Sequence, residues 1–207
     1  MRMKLVETLR KKGIRDEAIL SAIGSIPRHL FLDKVFEESA YDDRAFPIAE
    51  GQTISQPYTV AYQSMLLDVK RRDTVLEVGT GSGYQACVLA ELGARVFTVE
   101  RHEPLYIGAK KMFDRLGYPR IRAYLRDGYK GLREFAPFDK ILVTAAAPWI
   151  PDALLDQLKP GGVLIIPVGE KSQVMTRIKH VGDKKFVKEE LEIFRFVPFV
   201  KGISKKK

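Results

Sequence analysis

The chain has 207 residues, 45% of them hydrophobic, and 35 Lys and Arg against 26 Asp and Glu give it a net charge of +9. That length and apolar content can bury one sizeable core, and a single cysteine excludes a disulfide framework. No apolar run reaches the roughly 18 residues that a membrane span needs, the opening Met1 to Arg15 is charged throughout, and the cations are spread along the chain. A cytoplasmic monomer without nucleic-acid or membrane partners is expected.

In chain order, Leu5, Leu9 and Ile14 flank a first short helix. Asp16 can cap a second that carries Ile19, Leu20 and Ile23 on one face until Pro27 ends it. From Asp33 to Gln56 periodicity fades, with Pro47, Gly51 and Pro57 as punctuation. An irregular stretch of that length is uncommon unless functional, which makes it a candidate for the substrate side of a site. The remainder alternates: strands near 74–79, 94–100, 120–125, 138–145 and 163–168, with helices near 58–68, 83–92, 103–116 and 150–158. Such alternation builds a mostly parallel, doubly wound sheet whose ligands sit at the carboxyl ends of strands, where Gly79, Glu100 and Asp127 fall. Gln173 to Val181 and Phe186 to Val200 are β-rich and meet at Gly182-Asp183, a hairpin signal that adds antiparallel strands at one edge. The expected fold is thus α/β and Rossmann-like. It forms one domain over 1–207, with an N-terminal helical extension and substrate loop (1–56), a cofactor-binding core (57–168) and a C-terminal β-rich segment with a basic tail (169–207).

Chemistry concentrates at Val75-Leu76-Glu77-Val78-Gly79-Thr80-Gly81-Ser82-Gly83-Tyr84, which reads as a strand, a glycine turn and a helix N-terminus that can hold a nucleotide-like cofactor. A dinucleotide fingerprint would put its third glycine at position 84, where Tyr84 stands; here it comes one residue early, at Gly83. Glu77 just before the turn would repel a pyrophosphate and attract a sulfonium. The loop therefore suits S-adenosylmethionine better than NAD. Glu100, about 20 residues after the first glycine, can accept hydrogen bonds from both ribose hydroxyls. Each residue taken singly also fits a tight turn or a solvated acid; the joint spacing favours the cofactor.

Other mechanisms find no support. Cys87 lies in the apolar run Ala86 to Ala90 and reads as a buried thiol, while His29, His102 and His180 are scattered surface or capping residues without metal-ligand spacing. Trp149 reads as a packing residue, and the Lys205-Lys206-Lys207 tail as a solvated end. The chain contains no asparagine, a residue that heat-adapted proteins use sparingly, which points to a thermophilic source.

Five stretches together resemble the protein-L-isoaspartate (D-aspartate) O-methyltransferase family: Gly51-Gln52-Thr53-Ile54-Ser55-Gln56-Pro57, the glycine loop through Gln85, Val143-Thr144-Ala145-Ala146, Pro160-Gly161-Gly162 and Arg195-Phe196-Val197-Pro198. The glycine loop is shared by many methyltransferases, whereas the run from Gly51 to Pro57 is specific to this family. The resemblance implies an S-adenosylmethionine-dependent methyltransferase fold. It implies methyl transfer to the α-carboxyl of L-isoaspartyl residues in damaged proteins and peptides, followed by collapse of the ester to a succinimide. Ser55 becomes the expected active-site residue, donating to the substrate carboxylate, and Thr53, Ile54 and Gln56 complete a loop over cofactor and substrate. Glu77, Gly79, Gly81, Ser82, Gly83, Glu100, Asp127 and Gly128 become the rest of the cofactor site, with Asp127 facing adenine. Val197, Pro198 and Val200 border the substrate peptide, and no metal is implied. Arg126 stands where many relatives have glycine. Three rivals stay open: a methyltransferase acting on RNA or a small molecule, a dinucleotide oxidoreductase, and a binding module without turnover. The first lacks the Asn or Asp, Pro-Pro and aromatic tetrad after the fourth strand, where Thr144-Ala145-Ala146-Ala147 stands.

Overall fold

The computed structural model describes residues 1–204; the lysine tail lies outside the described residues. Helix α1 (Arg2–Lys11) is followed by α2 (Glu17–Ser25), where the Asp16 side chain accepts hydrogen bonds from the amides of Ala18 (2.9 Å) and Ile19 (3.2 Å). Leu5, Leu9, Ile14, Ile19, Leu20 and Ile23 are all buried, so the apolar spacing of both helices faces the core. The stretch expected to be irregular holds local structure after all: two 3-10 turns (Lys34–Phe36, Ala49–Gly51), preceded by one at Arg28–Phe31, and a small antiparallel pair, β1 (Phe46–Pro47) with β2 (Thr53–Ile54). Its order comes from long-range partners that local periodicity does not reveal.

Helix α3 (Pro57–Leu67) starts on a proline whose fixed φ suits the first helical position. The chain continues through β3 (Thr74–Val78), α4 (Tyr84–Glu91), β4 (Arg95–Glu100), α5 (Glu103–Leu116), β5 (Arg122–Leu125), β6 (Phe138–Val143), α6 (Asp152–Leu155), β7 (Leu158–Val168), β8 (Gln173–Gly182) and β9 (Lys185–Phe194). The seven-stranded sheet has the order β5-β4-β3-β6-β7-β8-β9, parallel up to β7, with β8 and β9 antiparallel. Strand order reverses between β3 and β6, which opens a crevice at their carboxyl ends. The hairpin between β8 and β9 turns at Asp183 (φ 46°) and Lys184 (φ 54°), the paired positive φ that a two-residue turn needs to match strand twist.

Three expected boundaries move. The helix read over 150–158 is a single turn, and β7 begins at Leu158 instead of 163, because Leu158 pairs with Phe138 across a bulge and buries its side chain. The last β segment leaves the sheet at Phe194 and does not run on to Val200. Pro198 cannot donate to a ladder, and the chain turns to the segment that follows β6 instead: Ala146 donates to the Val197 carbonyl (2.8 Å) and Phe199 donates to the Ala146 carbonyl (2.7 Å).

Alternation along the strands divides the core. Val75, Val96, Leu142 and Ile165 pack beneath the N-terminal helices, α4 and α5, while Leu76, Val78, Phe97, Val99, Ile141 and Leu164 face α6 and Phe199 on the other side. Among the described residues no helix is long and apolar enough to cross a membrane.

Candidate active site

The crevice holds a cavity of about 270 Å³ walled by three segments far apart in sequence: Gln52 to Ser55, the glycine loop with Glu100 to His102, and Val197 to Val200. The glycines earn their place by geometry. Gly79, Gly81 and Gly83 all have positive φ (102°, 53° and 89°), and a Cβ on Gly83 would stand 2.6 Å from Cε1 of Phe113 in α5. Gly128 has an ordinary φ, yet a Cβ there would come within 2.5 Å of Val78 Cγ1 and 2.8 Å of Phe199 Cε2. That second glycine lets the wall of the cavity close against the C-terminal segment.

Glu100 ends β4 with both carboxylate oxygens held by backbone donors: the Gly81 amide on Oε2 (2.8 Å), and those of Arg101 (2.8 Å) and His102 (2.9 Å) on Oε1. The acid thereby fixes the glycine loop while still facing the cavity. Thr144, at the end of β6, donates its hydroxyl to the Gly79 carbonyl (2.7 Å) and braces the loop from the opposite side.

Ser55 is half-buried on the cavity wall, and its backbone carbonyl accepts from Nη2 of Arg28 (2.9 Å). Arg28 is completely buried. It also donates to the carbonyls of Ala40 (3.1 Å) and Arg44 (3.4 Å), and its guanidinium lies 4.8 Å from the Tyr84 ring centroid. Burial pulls its pKa down from the ordinary value, opposed chiefly by Tyr84.

Of the expected site residues, Thr53, Ile54, Ser55, Gly79, Gly81, Ser82, Glu100, Gly128, Val197, Pro198 and Val200 meet around this one cavity. The other four do not line it. The Gln56 amide turns to Asp43, donating to its carbonyl (3.0 Å) and Oδ2 (3.1 Å), where Asp43 also caps α3 by accepting from the Tyr58 amide. Gly83 packs on Phe113, and Asp127 accepts from the Tyr129 amide at the start of a 3-10 turn (3.0 Å). Glu77 is fully buried on the α4 side of β3 and takes the Thr98 hydroxyl on Oε2 (2.5 Å). Desolvation raises its pKa from 4.5 to about 8, against the Thr98 hydrogen bond and with a smaller push from Glu100. Its burial favours the neutral carboxyl over the anion read from the sequence.

Sequence reasoning missed several members of the site. Gln85 and His102 both reach the cavity wall, and among the described residues each has a buried polar atom, Oε1 and Nδ1, without a hydrogen-bond partner. His102 Nδ1 lies 3.6 Å from Oε2 of Glu50. Trp149, expected to be packed, is 52% exposed and shares an aromatic cluster with Tyr129 (5.9 Å between ring centroids) beneath Lys201. Cys87 is buried as expected, and its thiol pKa is pushed up by desolvation. Among the described residues no group of three or more His, Cys, Asp or Glu could hold a metal.

The cavity suits an adenosyl cofactor: positive-φ glycines clear the backbone for close approach, a fixed carboxylate stands at a strand end, the Val78, Val99 and Phe199 wall is apolar, and two polar atoms are orphaned. Over residues 1–204 the chain matches the family described as protein-L-isoaspartate(D-aspartate) O-methyltransferase. A protein-L-isoaspartate O-methyltransferase of Christiangramia forsetii is 56% identical over 96% of this chain and 93% of its own length. One of Flavobacterium johnsoniae is 54% identical over 97% and 94%. A solved protein-L-isoaspartate O-methyltransferase superposes with a TM-score of 0.88 at 32% identity; the match covers 96% of this chain but 65% of that one. A Plasmodium falciparum chain described as a protein-L-isoaspartate O-methyltransferase, solved in complex with S-adenosyl-L-homocysteine, superposes with a TM-score of 0.85 at 26% identity over 96% of this chain and 98% of its own.

Proposed function

The chain belongs to the protein-L-isoaspartate(D-aspartate) O-methyltransferase family, and from that premise we propose how its cavity carries out the methyl transfer. It is an S-adenosylmethionine-dependent methyltransferase acting on isoaspartyl-containing proteins. The cofactor, when bound, supplies a methyl group on a sulfonium leaving group. The acceptor carboxylate is ionised near neutral pH, so the chain's task is alignment and exclusion of water, not base catalysis.

Glu100 accepts from the ribose hydroxyls while its backbone donors hold it still. Gly79, Gly81 and Ser82 bring the backbone alongside the cofactor's amino-acid portion, and Gln85 Oε1 offers an acceptor to its ammonium. Gly128, preceded by Asp127 for the exocyclic amine, and Phe199 flank adenine. Thr53 and Ile54 close the opposite wall. Glu77, Gly83 and Gln56 support the site from behind. Ser55 donates its hydroxyl to one oxygen of the substrate α-carboxylate and thereby turns the other in line with the methyl group. Val197, Pro198 and Val200 give the substrate backbone an apolar strip.

The observation that carries this reading is that Ser55 and Glu100, 45 positions apart in the sequence, open onto one cavity. The test is transfer of labelled methyl to paired peptides that differ only in L-isoaspartate against L-aspartate. Turnover is expected on the isoaspartyl peptide alone. Ser55→Ala is expected to lose about a hundredfold or more in kcat, while S-adenosylhomocysteine affinity and the urea midpoint stay unchanged. Equal transfer to both peptides, or a fully active Ser55→Ala, overturns it.

The same reading keeps 1–207 as one catalytic unit, with 1–56 on the substrate side, 57–168 holding cofactor and 169–207 completing the wall. It takes the protein as a cytoplasmic monomer without nucleic-acid or membrane partners, from a thermophilic source. Support for the last is the absence of asparagine; a Tm within the mesophilic range of about 45–65 °C would refute it.

A further inference from the structure

A second depression, of about 940 Å³, lies at the opposite end of the sheet from the cofactor cavity. Arg95 begins β4 and Glu100 ends it, so the two sites are separated by about 16 Å of strand. Five arginines line the depression: Arg71 and Arg72 before β3, Arg95, and Arg120 and Arg122 at the start of β5. All five are exposed. Among the described residues, none of the five guanidiniums makes an ion pair or donates a side-chain hydrogen bond. The cations that do so are others, such as Arg10 to Glu17, Lys70 to Asp68 and Lys159 to Asp139.

The neighbouring carboxylates are engaged elsewhere. Asp73 accepts from the Lys70 amide (2.8 Å), and Glu91 takes the Tyr118 hydroxyl (2.6 Å). The arginine backbones are fixed: Arg72 donates to the Gly93 carbonyl (2.8 Å), Arg95 to that of Asp73 (2.8 Å), and the Arg122 guanidinium sits 5.4 Å from the Phe97 ring centroid. Five like charges around one concavity repel one another in the free protein, and a multivalent anion relieves that repulsion. Apolar Val96, Phe97 and Ile121 form the floor, which weakens solvent screening beneath the charges.

From this placement we infer that the depression is a second ligand site for a compact anion carrying two or more adjacent phosphates, of nucleotide or short polyphosphate size. Guanidinium forks match phosphate oxygens two at a time, which a carboxylate-bearing peptide satisfies only once per side chain. The volume falls near the upper end of small-molecule sites, a size that suits a compact ligand, and Gly117, Tyr118 and Pro119 complete its lining.

Calorimetry with sodium tripolyphosphate on the full chain, in buffer of constant ionic strength, tests the inference. One saturable site per chain is expected. Arg95→Gln with Arg122→Gln should weaken it at least tenfold while S-adenosylhomocysteine binding stays within twofold. Arg71→Gln with Arg120→Gln, both in loops, repeats the test should the strand variants fold poorly. Absence of saturable binding, equal binding by both variants, or equal heat from sulfate overturns the proposal. So does tighter binding of a 30-nucleotide RNA with a steep salt dependence, which would make the patch a nucleic-acid track.

Discussion

Replacing Glu77 with Gln isolates a strong electrostatic strain in the core. The carboxyl is fully buried, and among the described residues Oε1 has no hydrogen-bond partner and only the Thr98 hydroxyl supports Oε2. Its pKa rises from 4.5 in water to about 8 in the fold, first through desolvation. Below pH 4.5 folded and unfolded chains are both protonated, and the group costs nothing. Between 4.5 and 8 the unfolded chain releases the proton while the folded chain keeps it, so stability falls by about 1.4 kcal/mol per pH unit. Above 8 the loss levels off near 5 kcal/mol, a large share of the roughly 5–15 kcal/mol that holds a domain together. Gln has nearly the same shape and never ionises. Urea unfolding of the wild-type and Glu77→Gln proteins at pH 5, 6, 7, 8 and 9 should therefore show similar midpoints at pH 5, with the variant gaining about 3–4 kcal/mol on the wild type by pH 8. Groups elsewhere titrate in both proteins and cancel in the difference. A difference that stays flat within about 1 kcal/mol over the whole range would show that Glu77 carries its charge in the fold, and the reasoning would fail.

Arg28→Met removes a buried donor shared by three carbonyls; with acceptors left unsatisfied, a loss of about 2–5 kcal/mol in urea unfolding is expected, together with a raised KM for the isoaspartyl peptide. A loss under about 1 kcal/mol with an unchanged KM would remove Arg28 from the positioning of Ser55. Gly83→Ala and Gly117→Ala form a matched pair, since both positions have positive φ (89° and 78°) but only the first would drive its Cβ into Phe113; Gly117 has nothing within 4 Å. Gly117→Ala should cost about 1 kcal/mol, and Gly83→Ala about 1–3 kcal/mol more, with weaker S-adenosylhomocysteine binding by calorimetry. Equal costs would mean that α5 yields freely at that contact.

What could be read from the sequence is what is encoded locally. The Asp16 cap, the hairpin signal read at Gly182-Asp183, one residue before the turn itself at Asp183-Lys184, and the glycine turn each follow from a few adjacent residues whose side chains or φ preferences act on their own backbone. Strands β3, β4, β6 and the main part of β7 were legible because they are largely apolar runs buried on both faces, whereas β5, at the edge, is only half-buried. The early start of β7 was hidden because Pro160, Gly161 and Gly162 are residue types that interrupt strands, whereas Leu158 is recruited by Phe138, twenty positions earlier. Arg28 gave no signal, since a charged side chain in a short polar turn reads as solvated until the carbonyls of Ala40, Arg44 and Ser55 are known to converge on it. Trp149 failed in the opposite direction: a large apolar residue reads as core, and only the path of the C-terminal segment leaves it exposed under Lys201.

The two segments that complete the cavity are held by groups that do not touch substrate. The loop ending at Ser55 is pinned from behind by Arg28 and Asp43, and the C-terminal segment is tied to Ala146 at one end. At the other, Arg101 Nε donates to the Gly202 carbonyl (3.0 Å) and Ser204 donates to the Arg101 carbonyl (2.8 Å). His102 joins both, facing Glu50 of the first segment through its ring and Ser204 of the second through its backbone bridge. A reaction whose acceptor is already charged and whose methyl donor is already activated gains little from further chemical groups and much from geometry, where a 1 Å misplacement can cost about a hundredfold. With Ser55 in the role proposed for it, the buried guanidinium and the backbone ties contribute to catalysis by fixing where that hydroxyl stands.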